Sequence, residues 1–299
     1  MQKFKVKRTG LLKDFLAQSL GISATQAKKL LDARKVFVNQ QRVWIAGYKL
    51  KTGDAVEIAA DISTAYPQDT PLPDGLSVNV RIAKHQSNGN RNARYTIVAE
   101  DSEYIIVNKP AGLLVNAQAN SLENLLQKDL KNPQIRAAHR LDRDTSGVVI
   151  LAKNQNAFAA IVKVFQKFGV EKYYRGIAQG DLLKKFPVRF TLDRPIDGQS
   201  AETRIRVLKT NALASYFEAQ IITGRKHQIR AHLAQAGFPL LGENIYQTAA
   251  LKNAVYRQIP HQMLHAATVC FTNPCSGKIL RAAAPEPPDF QSVLRGLKL

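Results

Sequence analysis

No Lys or Arg occurs between residues 52 and 80, although 43 of the chain's 299 residues are basic. The same stretch holds Pro67, Pro71, Pro73 and Gly75, residue types that interrupt helices and strands alike. A break of this kind argues against one continuous core. Length agrees, because 299 residues suit two domains better than one. The expected organisation is a small domain over residues 1–60, a linker over 61–80 and a larger domain over 81–299.

The break also divides the charge. Residues 1–51 carry twelve Lys or Arg against two Asp, a net +10 within a chain whose total is +20. Charge concentrated in this way predicts a polyanionic partner, nucleic acid ahead of an anionic membrane surface. No apolar run approaches the roughly 20 residues that a membrane span requires. The basic start, Met1 to Gly10, lacks the apolar core of a signal peptide. Cys270 and Cys275 are the only cysteines, so no disulfide framework is expected and a reducing cytoplasm fits best. There is no internal repeat and no heptad run. The oligomeric state stays open, a monomer being favoured.

Within the basic module, Ser23 and Gln26 have the spacing of a capping box opening a helix through Ala27, Leu30 and Leu31. The other face of that helix carries Lys28, Lys29, Arg34 and Lys35. Val36-Phe37-Val38, a turn at Asn39, then Val43-Trp44-Ile45, and later Ala55-Val56-Glu57-Ile58 predict a short hairpin region after a pair of small helices. A helix face of this kind suits RNA phosphates. Residues 81–94, basic and nearly free of apolar side chains, read as a loop that closes on RNA or as a plain connection.

The larger domain opens with two β-rich runs, one from Tyr95 and one from Tyr104, before Lys109-Pro110-Ala111-Gly112 turns the chain. Further on, His139-Arg140-Leu141-Asp142-Arg143-Asp144-Thr145-Ser146-Gly147 runs straight into Val148-Val149-Ile150-Leu151. A carboxylate crowded by arginines, on a polar loop at the mouth of a buried strand, is a poor packing element. A guanidinium about 4–6 Å away keeps a carboxylate ionised, and an ionised, positioned Asp serves as nucleophile or base without a metal. The competing reading is an exposed Arg–Asp pair of little energetic weight. Residue types alone do not choose between Asp142 and Asp144, since Asp144 also suits a side chain bonding its own turn.

Phe158, Ile161, Val162, Phe165 and Phe168 recur at helical spacing and read as core. A strand pattern follows through Lys172, Tyr173, Tyr174 and Gly176. Ile229 and Leu233 lie one helical turn apart, so a helix is expected soon after Gly224, with Arg225, Gln228 and His232 toward its other side. His261, His265, Cys270 and Cys275 have the donor types of a zinc set, but their spacing fits no usual finger and His265 sits in an apolar strand pattern. No metal and no other cofactor is expected.

Four of these segments, in order, resemble the RluA-type pseudouridine synthases: Asn-Lys-Pro-Ala-Gly ending at Gly112, the His139 to Gly147 run, Lys172-x-Tyr174, and the run from Gly224 to Leu233. The amino-terminal module resembles the small RNA-binding domain first described in a small-subunit ribosomal protein. The resemblance implies an α+β protein, a small αβ RNA-binding domain followed by a catalytic domain with a mixed, mostly antiparallel sheet flanked by helices. It implies site-specific isomerisation of uridine to pseudouridine in RNA after base flipping, without a cofactor. Asp142 then becomes the catalytic residue, Arg230 its ion-pair partner, and Tyr174 a base-stacking wall that also takes the final proton. His139, Arg140, Lys172, Ile229, Arg225 and Gln228 would bind the substrate, with Arg140 filling the space the flipped base vacates or steadying the flipped nucleotide. Lys109 reads as a scaffold or phosphate contact. Whether the carboxylate attacks the sugar, adds to the base or abstracts a sugar proton stays open.

Three departures from the family pattern stand out: Gly176 for Ala, Lys226 for Thr, and Glu243 for Asp after Gly242. The first is expected to loosen a strand. Neither of the others is expected to touch the chemistry, and Glu243 is expected to weaken a local turn. Ribosomal and transfer RNA are both possible substrates, the large-subunit RNA being favoured by the extra domain. The rival classes are a non-catalytic RNA-binding or ribosome-assembly factor and a small-molecule acid–base enzyme, for which the basic footprint has no use.

Overall fold

The computed structural model describes residues 2–32, 36–39, 41–43, 47–58, 95–116, 118–246, 256 and 259–299. The expected linker, the basic stretch 81–94, Arg34, Lys35, Trp44 and Ile45 lie outside the described residues. The chain divides into two compact units, Met1–Ser77 and Val78–Leu299.

The first unit contains β1 (Gln2–Lys5), β2 (Gly10–Leu11), α1 (Leu12–Leu20), α2 (Ala24–Asp32), β3 (Val36–Val38), β4 (Gln41–Arg42), β5 (Lys49–Leu50) and β6 (Ala55–Ile58). The capping box forms as its spacing demands: Ser23 N donates to Gln26 Oε1 at 2.9 Å and Gln26 N donates to Ser23 Oγ at 3.2 Å. Ala27 and Leu31, one turn apart on α2, bury themselves with Leu12 and Leu16 of α1. Lys28 stays exposed. Strand β6 sits between β1 and β3, antiparallel to both. The pairing of Gln2 with Ile58 joins the two ends of the module, a contact that local patterning does not reveal. The second hairpin strand is Gln41–Arg42, ahead of the expected Val43-Trp44-Ile45, and Val43 is buried just beyond it.

The second unit contains β7 (Thr96–Glu100), β8 (Tyr104–Lys109), α3 (Leu122–Asp129), β9 (Arg136–Ala137), β10 (Ser146–Ala152), α4 (Gln155–Gln166), β11 (Val170–Gln179), β12 (Arg189–Leu192), β13 (Thr203–Thr210), β14 (Ala214–Ile221), α5 (Gln228–Ala236), β15 (Leu264–Thr272), β16 (Ile279–Ala283) and α6 (Pro288–Gly296). Among the described residues the strands form one sheet in the order β12-β13-β14-β11-β15-β10-β8-β7, with β16 beside β15 and β9 beside β10. Only β10 and β15 run parallel there; every other pair is antiparallel. The sheet is therefore mixed and mostly antiparallel. Among the described residues no helix is long and apolar enough to cross a membrane.

Strand β10 is buried along its whole length, which is why its sequence is continuously apolar instead of alternating. Gly147 makes its central place possible. Its φ is +112°, and a Cβ there would stand 2.2 Å from the Ala266 carbonyl oxygen of β15. Backbone cannot move aside, so only glycine lets the two strands meet. The Asp142 loop is thereby anchored at the middle of the sheet.

The structure departs from expectation at two places here. Helix α4 buries Ala157 and Ile161, but Phe158 and Phe165 are only partly buried and Phe168 has left the helix at φ +54°. The apolar stripe is wider than the face the sheet can cover, and Phe165 ends up in the cleft described below. Gly176 does not loosen β11. It faces Phe217, its cross-strand partner, and a Cβ would stand 2.3 Å from Phe217 Cζ. Glycine is there to make room for a fully buried ring.

Candidate active site

The loop between β9 and β10, one face of β11, and the start of α5 converge on a cleft of about 340 Å³. Asp142 lies in it with its side chain 19% exposed. Its Oδ2 accepts a hydrogen bond from Arg230 Nη1 at 3.0 Å, and its Oδ1 is 3.6 Å from His227 Nε2. Asp144 turns away. It is held by its neighbour Arg143, which donates to it through Nε and Nη2 at 2.9 and 3.0 Å. That pairing keeps the Asp144 carboxyl below the usual carboxylate range. The exposed ion pair and the cleft carboxylate, inseparable by residue type, are thus two different residues.

Lys109 and His139 hold the loop in place. Lys109 is fully buried, and its Nζ donates to the carbonyls of Pro110, Leu113 and Arg143 at 2.9, 2.8 and 2.8 Å. Burial pulls its pKa down to about 7 against the attraction of Asp144 and Asp142. It is scaffold, with no donor left for a phosphate. His139 Nε2 accepts the Ile150 backbone N–H at 3.1 Å, and its ring centroid is 5.3 Å from that of Phe165. Burial, then the nearby Lys172 charge, push its pKa down to about 3, so the ring is neutral. Although it lines the cleft, His139 fastens the loop to β10 and is not the polar substrate contact expected of it.

Strand β11 sends Lys172 and Tyr174, two residues apart, to the cleft face, and Tyr173 to the other, where its hydroxyl lies by Glu171 and Gln220. Tyr174 is buried, and burial followed by the Asp142 charge raises its pKa. The phenol therefore stays protonated. It suits a wall against which a base stacks. Lys172 Nζ lies 5.5 Å from the centroid of the Phe165 ring, and burial lowers its pKa to about 8.

The third wall comes from the turn before α5. The helix starts at Gln228, later than expected, because His227 takes a left-handed conformation, φ +54°, at its N-cap. Gln228 is committed to the turn. Its Oε1 accepts from Thr223 Oγ1 at 2.7 Å and Arg225 N at 3.0 Å, and its Nε2 donates to Glu202 O and Thr203 Oγ1. It shapes the wall and has no free group for a substrate. Arg225 donates from Nε to Ser200 O at 3.0 Å while lining the cleft beside the exposed Lys226. Ile229 is the expected apolar wall, and Arg140 is exposed at the mouth.

Glu243, not expected to touch the proposed machinery, lies against Arg230. It is fully buried and grips Arg230 with both oxygens, accepting from Nη2 at 2.6 Å and from Nε at 2.8 Å. Sequence reading missed Glu243, His227, Phe165 and Tyr246, whose ring lies 5.7 Å from the Arg230 guanidinium. The signal for Glu243 was present, as a carboxylate thirteen residues after an arginine that an apolar helix buries. His265, one of the zinc-type donors, has both ring nitrogens occupied, by Ser146 Oγ at 2.9 Å and by Ala284 O at 3.1 Å.

Comparison with known proteins gives the family. The sequence profile described as RNA pseudouridylate synthase matches residues 103–235, and that described as S4 domain matches residues 12–56. The chain is 31% identical over 278 residues to ribosomal large subunit pseudouridine synthase D of Xanthomonas campestris, spanning 83% of this chain and 82% of that one. It is 29% identical to ribosomal large subunit pseudouridine synthase C of Vibrio cholerae over 95% of this chain and 92% of the relative. Among solved structures, human RNA pseudouridylate synthase domain containing 4 superposes with a TM-score of 0.56 at 25% identity, covering 68% of this chain and 92% of that one. With an S4 domain ahead of its catalytic unit, the chain belongs to the RNA pseudouridylate synthase family.

Proposed function

We propose that this chain isomerises uridine to pseudouridine in structured RNA, large-subunit ribosomal RNA ahead of transfer RNA, with Asp142 as the reacting carboxylate. The choice of RNA rests on the names of the relatives and on the basic amino-terminal module. One observation carries the reading: a single carboxylate, paired with a buried guanidinium, in a cleft whose other charged lining is Arg140, Lys172, Arg225 and Lys226.

Those cations favour the phosphates around a target uridine. The uridine leaves its stack at a cost of a few kcal/mol, least where it already lies in a loop or bulge. Arg140 stands at the mouth with no ionic partner among the described residues, suited to the vacated place. Inside, Tyr174 and Ile229 enclose the base, and a cavity of about 340 Å³ falls in the range that holds small ligands. The N1–C1′ bond then breaks and a C5–C1′ bond forms. The C5 proton leaves and N1 gains one, so the change balances without an oxidant or reductant. Asp142 acts on the nucleotide while Arg230 holds it aimed. Lys28, Lys29, Arg34 and Lys35 add sequence-independent grip on phosphates.

The test is nucleotide-resolution mapping of pseudouridine in total RNA from cells with and without the gene. Loss of one or a few defined sites, restored by wild type and not by Asp142→Asn, is the expected result. Asp142→Asn should also keep RNA affinity within about threefold of wild type, since the change removes only the reacting group. No change at any site, or restoration by Asp142→Asn, refutes the proposal.

A further inference from the structure

The Asp142–Arg230 contact does not end at Arg230. We propose that Glu243 is a positioning residue for the reaction, holding Arg230 directly and His227 through Tyr246, so that Asp142 keeps its place while its charge changes. The inference rests on the reading of Asp142 given above.

The geometry traces both contacts of Asp142 to one carboxylate. Glu243 takes Arg230 Nε and Nη2, leaving Nη1 to face Asp142 Oδ2. Glu243 Oε1 also accepts from the backbone N–H of Ile245 at 2.9 Å and of Tyr246 at 3.3 Å. The turn so fixed carries the Tyr246 hydroxyl to 3.1 Å from His227 Nδ1. With that hydroxyl donating, His227 carries its proton on Nε2, the atom 3.6 Å from Asp142 Oδ1. The turn has no slack. Gly242 has φ +72°, and a Cβ there would stand 1.9 Å from the His261 carbonyl oxygen.

Charge supplies the reason for a second carboxylate. Arg230 has a side chain only 5% exposed, and a buried guanidinium without a counter-ion is strongly unfavourable. If Asp142 were its sole partner, any step that takes charge off Asp142, by a covalent bond or by a proton, would strand that cation. With Glu243 in place Arg230 stays neutralised throughout. Its remaining N–H can follow the Asp142 carboxylate without locking it. A glutamate, one methylene longer than the aspartate expected at this position, reaches two guanidinium nitrogens and two backbone donors at once.

The experiment compares wild type, Glu243→Gln, Glu243→Asp and Asp142→Asn on large-subunit ribosomal RNA transcribed with uridine tritiated at C5. Release of tritium gives kcat and KM, and thermal unfolding checks the fold. Glu243→Gln should lose kcat by about tenfold to a hundredfold, the range seen when a group that orients a reacting residue is removed, with KM within about threefold. Glu243→Asp, which keeps the charge, should recover most of that loss. Wild-type kcat in Glu243→Gln overturns the inference, as does a loss confined to KM. Equal losses in the Gln and Asp variants, both folded, also overturn it, because packing would then be the whole role. If Glu243→Gln unfolds, Glu243→Asp decides: near-wild-type kcat supports the inference, and a hundredfold loss with an intact fold refutes it. A silent wild type, or an Asp142→Asn variant as fast as wild type, sinks the site reading and this inference together, and that pattern is distinct from the others.

Discussion

Lys172 is a half-buried cation with no ion pair or hydrogen bond among the described residues, and replacing it with Met should make the protein more stable and less active. Burial pulls its pKa from 10.5 to about 8. The folded-state value lies below the unfolded one, so between the two the unfolded chain binds more protons, and stability rises with pH through that window. The charged lysine therefore destabilises the fold most below pH 8. The gap corresponds to up to roughly 3 kcal/mol at pH 7 and about 2 kcal/mol at pH 9. Met has similar length, no charge, and an apolar neighbour in Phe165, in a cleft that Ile221 and Leu264 also line. Urea unfolding of Lys172→Met, followed by far-ultraviolet circular dichroism, should show the larger gain at pH 7, diminished by about 1 kcal/mol at pH 9. On RNA, turnover should fall, because the cation that the fold tolerates at its own expense is the one a phosphate completes. Equal stability of variant and wild type at pH 7 would refute the argument. A gain identical at both pH values would assign the effect to packing instead of charge.

Two further outcomes test other parts of the structure. Replacing Lys28 and Lys29 with Ala should weaken RNA binding and flatten its dependence on salt by about 0.7–0.9 in log–log slope for each phosphate no longer neutralised, leaving kcat at saturating RNA unchanged. A filter-binding series over salt concentration measures the slope, and an unaltered one removes these lysines from the RNA interface. Gly176→Ala should destabilise the catalytic unit by about 1–2 kcal/mol, because crowding worth about 1–3 kcal/mol exceeds the roughly 0.5–1 kcal/mol gained by replacing a strand glycine. In a Phe217→Leu background the same change should turn neutral or stabilising, and strictly additive urea midpoints would show that the ring 2.3 Å from that Cβ is not the cause.

Much of the architecture was legible because it is local. The Ser23–Gln26 box, the runs at Tyr95 and Tyr104, and the unbroken apolar stretch after Gly147 each state their structure within a few residues. The site was less so, because its decisive contacts span the chain. Asp142 and Asp144 look alike until Arg230, 88 positions on, selects one of them. Gln228 and His139 sit in a chemically suggestive run, yet their hydrogen-bonding atoms are claimed by Thr223, Arg225, Glu202, Thr203 and Ile150, partners that no motif announces. Gly176 shows the same limit. Its neighbour in space is Phe217, and the meaning of a missing methyl lies on the next strand.

Three cations are wholly or partly withdrawn from water around this cleft, and their partners differ. Lys109 is met by three backbone carbonyls, the full complement of an ammonium group, and serves the loop. Arg230 is met by two carboxylates, Glu243 and Asp142, and on the reading proposed above it stays neutralised by the first when the charge on the second changes. Lys172 has only the face of Phe165 among the described residues. A fold removes water from a cation without supplying an anion only at a net loss, a loss that a phosphate of the proposed RNA substrate would offset. Lys172 opens into the same cleft as Asp142, and an anionic ligand that neutralises it brings its own reactive part beside that carboxylate. Proton uptake follows from this. At pH 8 about half the Lys172 side chains are neutral, and an arriving phosphate would draw up to about half a proton per site from solution. Calorimetric titration with RNA in buffers of different ionisation enthalpy reads that uptake directly. It should vanish in Lys172→Met, and its persistence there would place the phosphate elsewhere.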